Sequence, residues 1–210
     1  MIQPEHSFKD LSFNMPNKNS RCHRIVLTGG PGGGKTTAAD LMRREVGDQI
    51  VIVPEAATML FSGGFPRKQE LHCRRSAQSA IYHVQRNLED IHSASYPDRI
   101  LLCDRGTLDS TVYWPQDGNG DFFQSLQTSF EEELARYDAV IFFETAAVGN
   151  LSIEGGNPTR TESIEEAIEI DRQLQQTWGK HPQFSFIPHE DSFIKKLQIA
   201  IDKLKGFLEP

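Results

Sequence analysis

The stretch GGPGGGKT at residues 29–36 limits the folds open to this chain more than any other part of its sequence. It fits the spacing G-x-x-x-x-G-K-[ST] at every position, and it stands between the apolar run Ile25–Leu27 and a helical pattern over Lys35–Val46. Glycines allow successive backbone N–H groups to turn toward one anion, and the positive end of the following helix points at the same place. We therefore expect a strand, a phosphate-binding loop and a helix in this order.

The polar residues of this loop have expected roles in binding ATP and Mg²⁺. Lys35 is placed to reach the β- and γ-phosphates, Thr36 to offer its hydroxyl to Mg²⁺, and Thr37 to donate a hydrogen bond to the α-phosphate. A glycine-rich turn that binds nothing is the alternative, and the complete motif in its strand–helix context disfavours it. The expected nucleotide-binding residues are Gly30, Pro31, Gly32, Gly33, Gly34, Lys35, Thr36 and Thr37.

Short apolar runs alternate with helical patterns along the rest of the chain, and this alternation favours an α/β doubly wound fold. Because the runs are continuously apolar, we expect a parallel sheet with helices on both faces. The further strands are predicted at residues 50–53, 100–103, 139–143 and 184–187.

Three features predict the helices between these strands. An apolar stripe predicts a long helix over about 67–93, and the i+4 spacing of Phe122, Leu126, Phe130 and Leu134 predicts one helix with one apolar face. Ser163 and Glu166 form a capping box that opens a helix running towards Trp178, and a final helix follows Phe193.

Length, charge and composition limit which other classes of protein this chain can belong to. The 210 residues suit one domain, assigned to 23–210 after an irregular arm at 1–22. The net charge of −7 argues against an extended nucleic-acid interface, and no apolar run is long enough for membrane insertion. The three cysteines have no metal-binding spacing, so a reducing, cytoplasmic setting is expected.

The dipeptide Asp104-Arg105 follows the third apolar run and separates classes of nucleotide-dependent proteins. A carboxylate at the carboxyl edge of a parallel sheet is placed to hold Mg²⁺, so Asp104 joins Thr36 as a metal candidate. Motor-type ATPases follow this Asp with Glu, whereas here Arg105 is placed to contact the transferred phosphate or to pair with a nearby acid. No Asn-Lys-x-Asp guanine-binding motif follows a late strand.

Glu55 stands just beyond the second apolar run, at the same predicted edge. Phosphoryl transfer to a hydroxyl needs a carboxylate beside the γ-phosphate, so Glu55 is the candidate base. The alternative is an acid that stabilises the dipole of the next helix.

The long helix carries Arg75, Gln78, Tyr82 and Gln85 on one face. Amides and a phenol can bind a flat polar ring, although a solvated face has the same pattern. Gln78, Tyr82, Gln85 and Asp109 are the substrate candidates, and Asp109 alternatively caps a helix.

A segment rich in Gly, Asn and Pro, near 148–162, has the composition of a lid over a bound triphosphate. Arg160 is the cation in it and is the candidate to reach the transferring phosphoryl group, with Arg172 as a second choice. A surface loop with an incidental arginine is the alternative.

Together these residues resemble a predicted ATPase/kinase family of AAA-type P-loop domains linked to NAD metabolism. The family is similar to nicotinamide-riboside kinases and, more distantly, to deoxynucleoside and thymidylate kinases. The matching pieces are GGPGGGKTT at 29–37, VPEAAT at 53–58, QSAIYHVQ at 78–85, LLCDRGTLDS at 101–110 and NPTRTES at 157–163, followed by Asp171 and Trp178.

The resemblance implies a P-loop NTPase fold with a five-stranded sheet in the order 2-3-1-4-5 that binds ATP and Mg²⁺. From the deoxynucleoside kinases, Glu55 carries over as base and Arg105 as phosphate contact. The usual Glu-Pro and Glu-Arg-Ser of those enzymes are here Glu-Ala and Asp-Arg-Gly, so the resemblance does not imply a substrate.

The first hypothesis is a small-molecule kinase with Lys35, Glu55, Arg105 and Arg160 as its catalytic residues. Its acceptor would be a hydroxyl of a nucleoside, nucleotide or NAD-precursor type of metabolite. The alternatives are a regulatory protein that binds ATP or GTP together with an anionic ligand such as a phosphoinositide, and an ATPase coupled to a partner.

Overall fold

The apolar runs form one parallel sheet whose two faces are both covered by helices. The structure, a computed structural model, describes residues 24–118, 120–149 and 162–208. The order β2-β3-β1-β4-β5 confirms the predicted order 2-3-1-4-5. The strands are Arg24–Thr28 (β1), Ile50–Val53 (β2), Ile100–Asp104 (β3), Ala139–Phe143 (β4) and Phe184–Ile187 (β5).

Helices of very different lengths connect and flank these strands. The capping box of Ser163 and Glu166 is present at the start of the helix that contains Trp178, as the sequence predicts. The helices are Lys35–Val46 (α1), Ala56–Ser62 (α2), Leu71–Ser95 (α3), Asp109–Tyr113 (α4), Phe122–Leu126 (α5), Phe130–Leu134 (α6), Ile164–Trp178 (α7) and Phe193–Leu208 (α8).

Alternate side chains of each strand enter two separate cores, because successive residues of a strand point to opposite faces. Ile25 and Leu27 pack in the core that contains residues of α1 and α8. Val26, between them, packs in the opposite core with Leu174 and Trp178 of α7. The central strands are therefore fully buried, which fixes their register and the positions of the loops at their carboxyl ends.

The register brings the phosphate-binding loop beside the end of β3. Leu27 is the Cα partner of Asp104, and Val53 of β2 is the partner of Cys103. The loop after β1, Glu55 after β2 and Asp104 at the end of β3 consequently lie at one edge of the sheet.

The single helix predicted over 122–134 is wrong, because two short helices occupy this stretch. Gln127 has a positive φ of 53° and ends α5. The Asp121 carboxylate accepts from backbone N–H groups at the start of α5, and the Ser129 hydroxyl accepts from that of Glu132 at the start of α6. These two N-caps stabilise separate helix starts within a continuous apolar pattern.

Two other predictions differ from the described structure or lie outside it. The long helix α3 begins at Leu71 and not near residue 67. The predicted arm at 1–22 and most of the predicted lid, with Arg160, lie outside the described residues. Within the described ranges, no helix has the length and apolar character to cross a membrane.

Candidate active site

The loop at 29–36 has the backbone shape that its glycines suggest. Gly29 has a φ of +125°, and a side chain there would overlap the Phe143 carbonyl oxygen. Gly34 has a φ of +84° and is the N-cap of α1, so the loop leads directly into the helix. The structure therefore presents the predicted order of strand, loop and helix, with the helix N-terminus facing the loop.

Lys35 extends back across this loop. Its Nζ donates hydrogen bonds of 2.8 Å to the carbonyl oxygens of Gly29 and Gly30, and the side chain is buried. Burial, and next the positive charge of Arg105, lower the pKa of the Lys35 amine to about 7. An amine held in this way gains stabilisation of its charged form when phosphate oxygens approach it.

Thr36 and Asp104 lie together as the sequence predicts. The Thr36 hydroxyl donates to Asp104 Oδ2 at 2.7 Å, while Asp104 Oδ1 is buried with no hydrogen-bond partner among the residues that the structure describes. Burial, and next the charge of Glu55, raise the pKa of the Asp104 carboxyl. A cation beside Oδ1 would supply the missing partner of this oxygen and favour the charged carboxylate.

This pair of oxygen donors fits Mg²⁺. Among the described residues, no group of three or more His, Cys, Asp or Glu side chains could hold a metal ion. Mg²⁺ commonly takes one or two protein ligands and completes its shell with water and nucleotide phosphates, so one hydroxyl and one carboxylate suffice.

Arg105 links three parts of the site. Its Nε lies 2.8 Å from Glu55 Oε1, and its Nη1 lies 2.8 Å from Asp109 Oδ2 and 3.1 Å from the Gly29 carbonyl oxygen. The backbone of Arg105 has a positive φ of 78°, which is costly for a residue with a side chain, by about 1–3 kcal/mol. These contacts hold the strained backbone of Arg105 in place and direct its guanidinium to the edge of the phosphate loop.

Glu55 is held as an anion beside Arg105. The Thr58 hydroxyl donates a second hydrogen bond to its carboxylate. Burial opposes the charged form, but the charge of Arg105 and the Thr58 hydrogen bond outweigh it, so the pKa of Glu55 is lowered. Glu55 is therefore an ionised, oriented acceptor of hydrogen bonds.

A cavity of about 730 Å³ opens next to Glu55 and Arg105. Helices α2, α3, α4 and α7 contribute its walls, and Pro31 of the phosphate loop lines one part of it. The cavity is large enough for a metabolite of drug-like size and borders both the phosphate loop and the candidate base. Its apolar lining includes Phe61, Ala77, Ile81 and Ile170.

A family model described as an AAA domain matches residues 24–191, which include all of these elements. The chain belongs to this AAA-domain family. Among curated proteins, none matches the chain.

Solved structures show the same fold for this AAA domain. A deoxyadenosine kinase from M. mycoides with bound dATP aligns with a TM-score of 0.58 and 15% identity, covering 87% of this chain and 99% of that chain. A second structure of deoxyadenosine kinase from M. mycoides, with the products dCMP and a flexible dCDP bound, aligns with a TM-score of 0.61 and the same identity and coverage. This likeness shows that the AAA domain has the P-loop kinase fold.

The substrate candidates on α3 have different surroundings. Gln78 and Gln85 line the cavity, whereas Tyr82 is not part of its described lining. Tyr82 is 1% exposed, packs edge-to-face on Phe122 and donates to the Glu133 carboxylate at 2.6 Å. The structure does not bring Tyr82 to the cavity with Gln78 and Gln85, because α5 covers that part of the helix face.

Gln85 is already engaged on both sides of its amide. Its Oε1 accepts from the backbone N–H of Ala56 at 3.3 Å, and its Nε2 donates at 3.2 Å to the Arg105 carbonyl oxygen and to Glu89. The side chain thereby ties the residues that follow β2 and β3 to α3. Gln85 therefore fixes the positions of these two backbone segments in the site, a role that the sequence pattern did not indicate.

Asp109 is also a positioning residue in this structure. It accepts hydrogen bonds from the Thr28 hydroxyl at 2.8 Å and the Trp178 indole N–H at 2.7 Å, besides its ion pair with Arg105. Arg172, the second lid candidate, is exposed and pairs with Glu169.

Sequence reasoning assigned no role to Asp171. Its Oδ1 accepts from the backbone N–H of Gly30 at 2.6 Å and of Thr145 at 3.0 Å, which joins α7 to the phosphate loop. Asp171 lies on the buried face of α7 with Ala167 and Leu174. The sequence signal that could have identified Asp171 is that it is a single acidic residue at helical spacing within an apolar stripe.

The glycine of Asp-Arg-Gly, where deoxynucleoside kinases have serine, also has a structural reason. A Cβ at Gly106 would lie 2.7 Å from the ring carbons of Trp178 and 2.9 Å from a methyl group of Val26. Trp178 is fully buried, so it has no room to move away. The departure from that motif is thus explained by packing of α7 against the end of β3.

Proposed function

We propose that this AAA domain is a Mg²⁺-dependent kinase that transfers the γ-phosphoryl group of ATP to a hydroxyl of a small metabolite. The acceptor would be a nucleoside, a nucleotide or a metabolite of NAD-precursor type. One observation carries the proposal: the ionised carboxylate of Glu55 borders the 730 Å³ cavity and is fixed by Arg105, which also contacts the phosphate loop. A carboxylate between a phosphate site and an acceptor cavity is the arrangement that transfer to a hydroxyl requires.

Lys35, Thr36 and Asp104 would have separate roles in binding ATP with Mg²⁺. Lys35 would leave the carbonyl oxygens of Gly29 and Gly30 and bind the β- and γ-phosphates, together with backbone N–H groups of the loop. Thr36 and Asp104 would hold Mg²⁺, which neutralises charge on the phosphate oxygens.

Glu55 would orient the acceptor hydroxyl by accepting its hydrogen bond. In the transfer step, the hydroxyl oxygen bonds to the γ-phosphorus, the bond from that phosphorus to the β–γ bridging oxygen breaks, and ADP leaves. The hydroxyl proton passes to the Glu55 carboxylate and then to water. Because phosphoryl transfer passes through a loose transition state, positioning the hydroxyl contributes more than removing its proton early.

Arg105 would neutralise charge on the transferring group. Its guanidinium already lies 3.1 Å from the Gly29 carbonyl oxygen, at the margin of the phosphate site, and Asp109 holds it there. Cations that stabilise the transferring phosphoryl group are a recurring part of such sites.

A panel of nucleosides, nucleotides and vitamin-derived ribosides tests the proposal, with ATP and separately GTP as donor. ADP or GDP release and the phosphorylated product would be followed together. The proposal predicts that at least one acceptor raises the release of ADP or GDP in step with its own phosphorylation. Release of ADP that no acceptor changes would support the partner-coupled ATPase instead, and tight binding of anionic lipid headgroups without turnover would support the regulatory protein.

A further inference from the structure

Three arginines line the acceptor cavity, and two of them are paired with carboxylates. Arg67 lies 2.8 Å from Glu162, and Arg105 is paired with Glu55 and Asp109. Arg74 differs from both. Its Nη2 donates to the Tyr113 carbonyl oxygen at 3.0 Å, and no carboxylate in the described part of the chain forms an ion pair with it.

The contact with Tyr113 fixes the Arg74 guanidinium without neutralising it. A guanidinium has five N–H donors in a planar fork, and a single carbonyl oxygen satisfies one of them. Arg74 is partly buried, so its remaining donors face a setting in which charges interact more strongly than in bulk water. The fork matches the paired oxygens of a carboxylate or phosphate group, and its fixed position lowers the cost of binding one.

The carboxylates around the cavity do not neutralise the positive charge of Arg74. Glu55, Asp109 and Glu162 are paired with Arg105 and Arg67. The other lining carboxylates lie on the exposed side of α7, where water and salt screen them, and each of them already accepts a hydrogen bond there. They are Glu165, Glu166 and Glu169.

Gln78 extends the same surface. It lies four residues after Arg74 on α3, so both side chains are on one face of the helix, and both line the cavity. An amide beside a guanidinium can bind further oxygen or nitrogen atoms of the same ligand.

We propose that Arg74 binds an anionic group of the acceptor, so that the substrate is a hydroxyl compound that also carries a carboxylate or a phosphate ester. This inference rests on the proposed function, because it names the class of acceptor for the same cavity. Arg74 acts here as a specificity-determining residue, and a neutral nucleoside would leave its guanidinium without an anionic partner.

Matched pairs of acceptors that differ in one charged group test the inference. Nicotinic acid riboside against nicotinamide riboside and orotidine against uridine supply the carboxylate, and 3′-AMP against adenosine supplies the phosphate ester. The ratio of kcat/KM within each pair would be measured for the wild type, Arg74→Met and Arg74→Lys. Arg44→Met, which removes an exposed charge on α1, is the matched control.

In at least one pair the wild type should prefer the compound that carries the carboxylate or phosphate ester by about 10–100-fold, the usual effect of one charged hydrogen bond. Arg74→Met should abolish this preference mainly through KM, Arg74→Lys should keep part of it, and Arg44→Met should keep all of it. Thermal unfolding and ATP titration would show that the variants fold.

Three results would overturn the inference, and they can be told apart. If no pair shows a preference for the compound with the carboxylate or phosphate ester, or if that preference survives Arg74→Met, the role of Arg74 is contradicted and the kinase proposal stands. No phosphorylation of any compound contradicts the kinase proposal, and the inference falls with it.

Discussion

The Glu55 carboxylate and the Arg105 guanidinium form an ion pair of 2.8 Å between the ends of two neighbouring strands, β2 and β3. Gln85 holds the same two strand ends from α3 through the backbone of Ala56 and of Arg105. The pair therefore has a fixed position relative to the phosphate loop and to the acceptor cavity. This relationship gives each of the two side chains a separate role in phosphoryl transfer.

Binding of ATP should change the protonation of Lys35. Burial and the Arg105 charge lower the pKa of its amine to about 7, and phosphate oxygens should raise it by stabilising the ammonium form. Between these two pKa values binding takes up a proton, so ATP affinity should fall as the pH rises from about 7 through this window. Calorimetry at pH 8 in two buffers with different ionisation enthalpies measures the uptake.

Two variants serve as controls for Lys35. Lys35→Arg keeps a permanently protonated side chain and should bind ATP without proton uptake. Lys35→Ala should bind ATP much more weakly and remain folded. Equal uptake in the wild type and Lys35→Arg would show that Lys35 is not the titrating group.

Removing the charge of Asp104 should act through the metal. Asp104→Asn keeps an oxygen near Thr36 but loses the negative charge that Mg²⁺ prefers. We expect Mg²⁺ to strengthen ATP binding in the wild type and to have little effect in the variant, while affinity without metal stays similar. Titrations with and without Mg²⁺ measure this, with the exposed Asp202→Asn as control, and an unchanged magnesium effect would make Asp104 a purely structural residue.

Asp171 should stabilise the phosphate loop. Asp171→Ala leaves the N–H groups of Gly30 and Thr145 buried without an acceptor, at a cost of about 1–3 kcal/mol for each in the free energy of unfolding. Asp171→Asn retains one acceptor oxygen and should lose less. Chemical denaturation and ATP titration check both variants, and wild-type stability and affinity in Asp171→Ala would disprove the role.

Packing at Gly106 should be intolerant of even one methyl group. In Gly106→Ala the new Cβ would lie 2.7 Å from the buried Trp178 ring, so we expect a loss of stability of about 1–3 kcal/mol from overpacking. Gly206→Ala is the matched control, because a Cβ there meets no atom of the described residues within 4 Å and a helical glycine gains about 0.5–1 kcal/mol from this change. Equal unfolding midpoints for Gly106→Ala and wild type would contradict the packing account.

The sheet could be predicted because strands that are buried on both faces consist of continuous runs of apolar residues. Runs such as Ile50–Val53 and Ala139–Phe143 are continuously apolar, and the structure has strands with the same bounds. The loop at 29–36 could also be predicted, because two of its positions demand glycine. Gly29 approaches the Phe143 backbone closely, and Gly34, the N-cap of α1, has a left-handed backbone conformation.

The parts that sequence reasoning missed depend on contacts between distant elements. Tyr82 and Gln78 share the spacing of one helix face, but α5 covers Tyr82 and leaves Gln78 at the cavity. Arg74 and Arg75 are adjacent in the sequence, yet Arg75 pairs with Asp117 while Arg74 lines the cavity. Periodicity within one element does not specify which neighbour packs on it.

Phosphoryl transfer by this AAA domain would depend on Glu55 serving an acceptor hydroxyl. Glu55→Gln keeps the size of the side chain and an oxygen for the Arg105 Nε–H, but it cannot take up a proton. Glu131→Gln, an exposed acid on α6 away from the cavity, is the matched control.

The most direct measurement is the rate of phosphoryl transfer from ATP to the best acceptor, with ATP affinity determined alongside, in these two variants and the wild type. Glu55→Gln should bind ATP normally and transfer about 10²–10⁴-fold more slowly, the usual contribution of a general base. Glu131→Gln should match the wild type. Transfer by Glu55→Gln at the wild-type rate would contradict the role of Glu55 as the base that serves the acceptor hydroxyl.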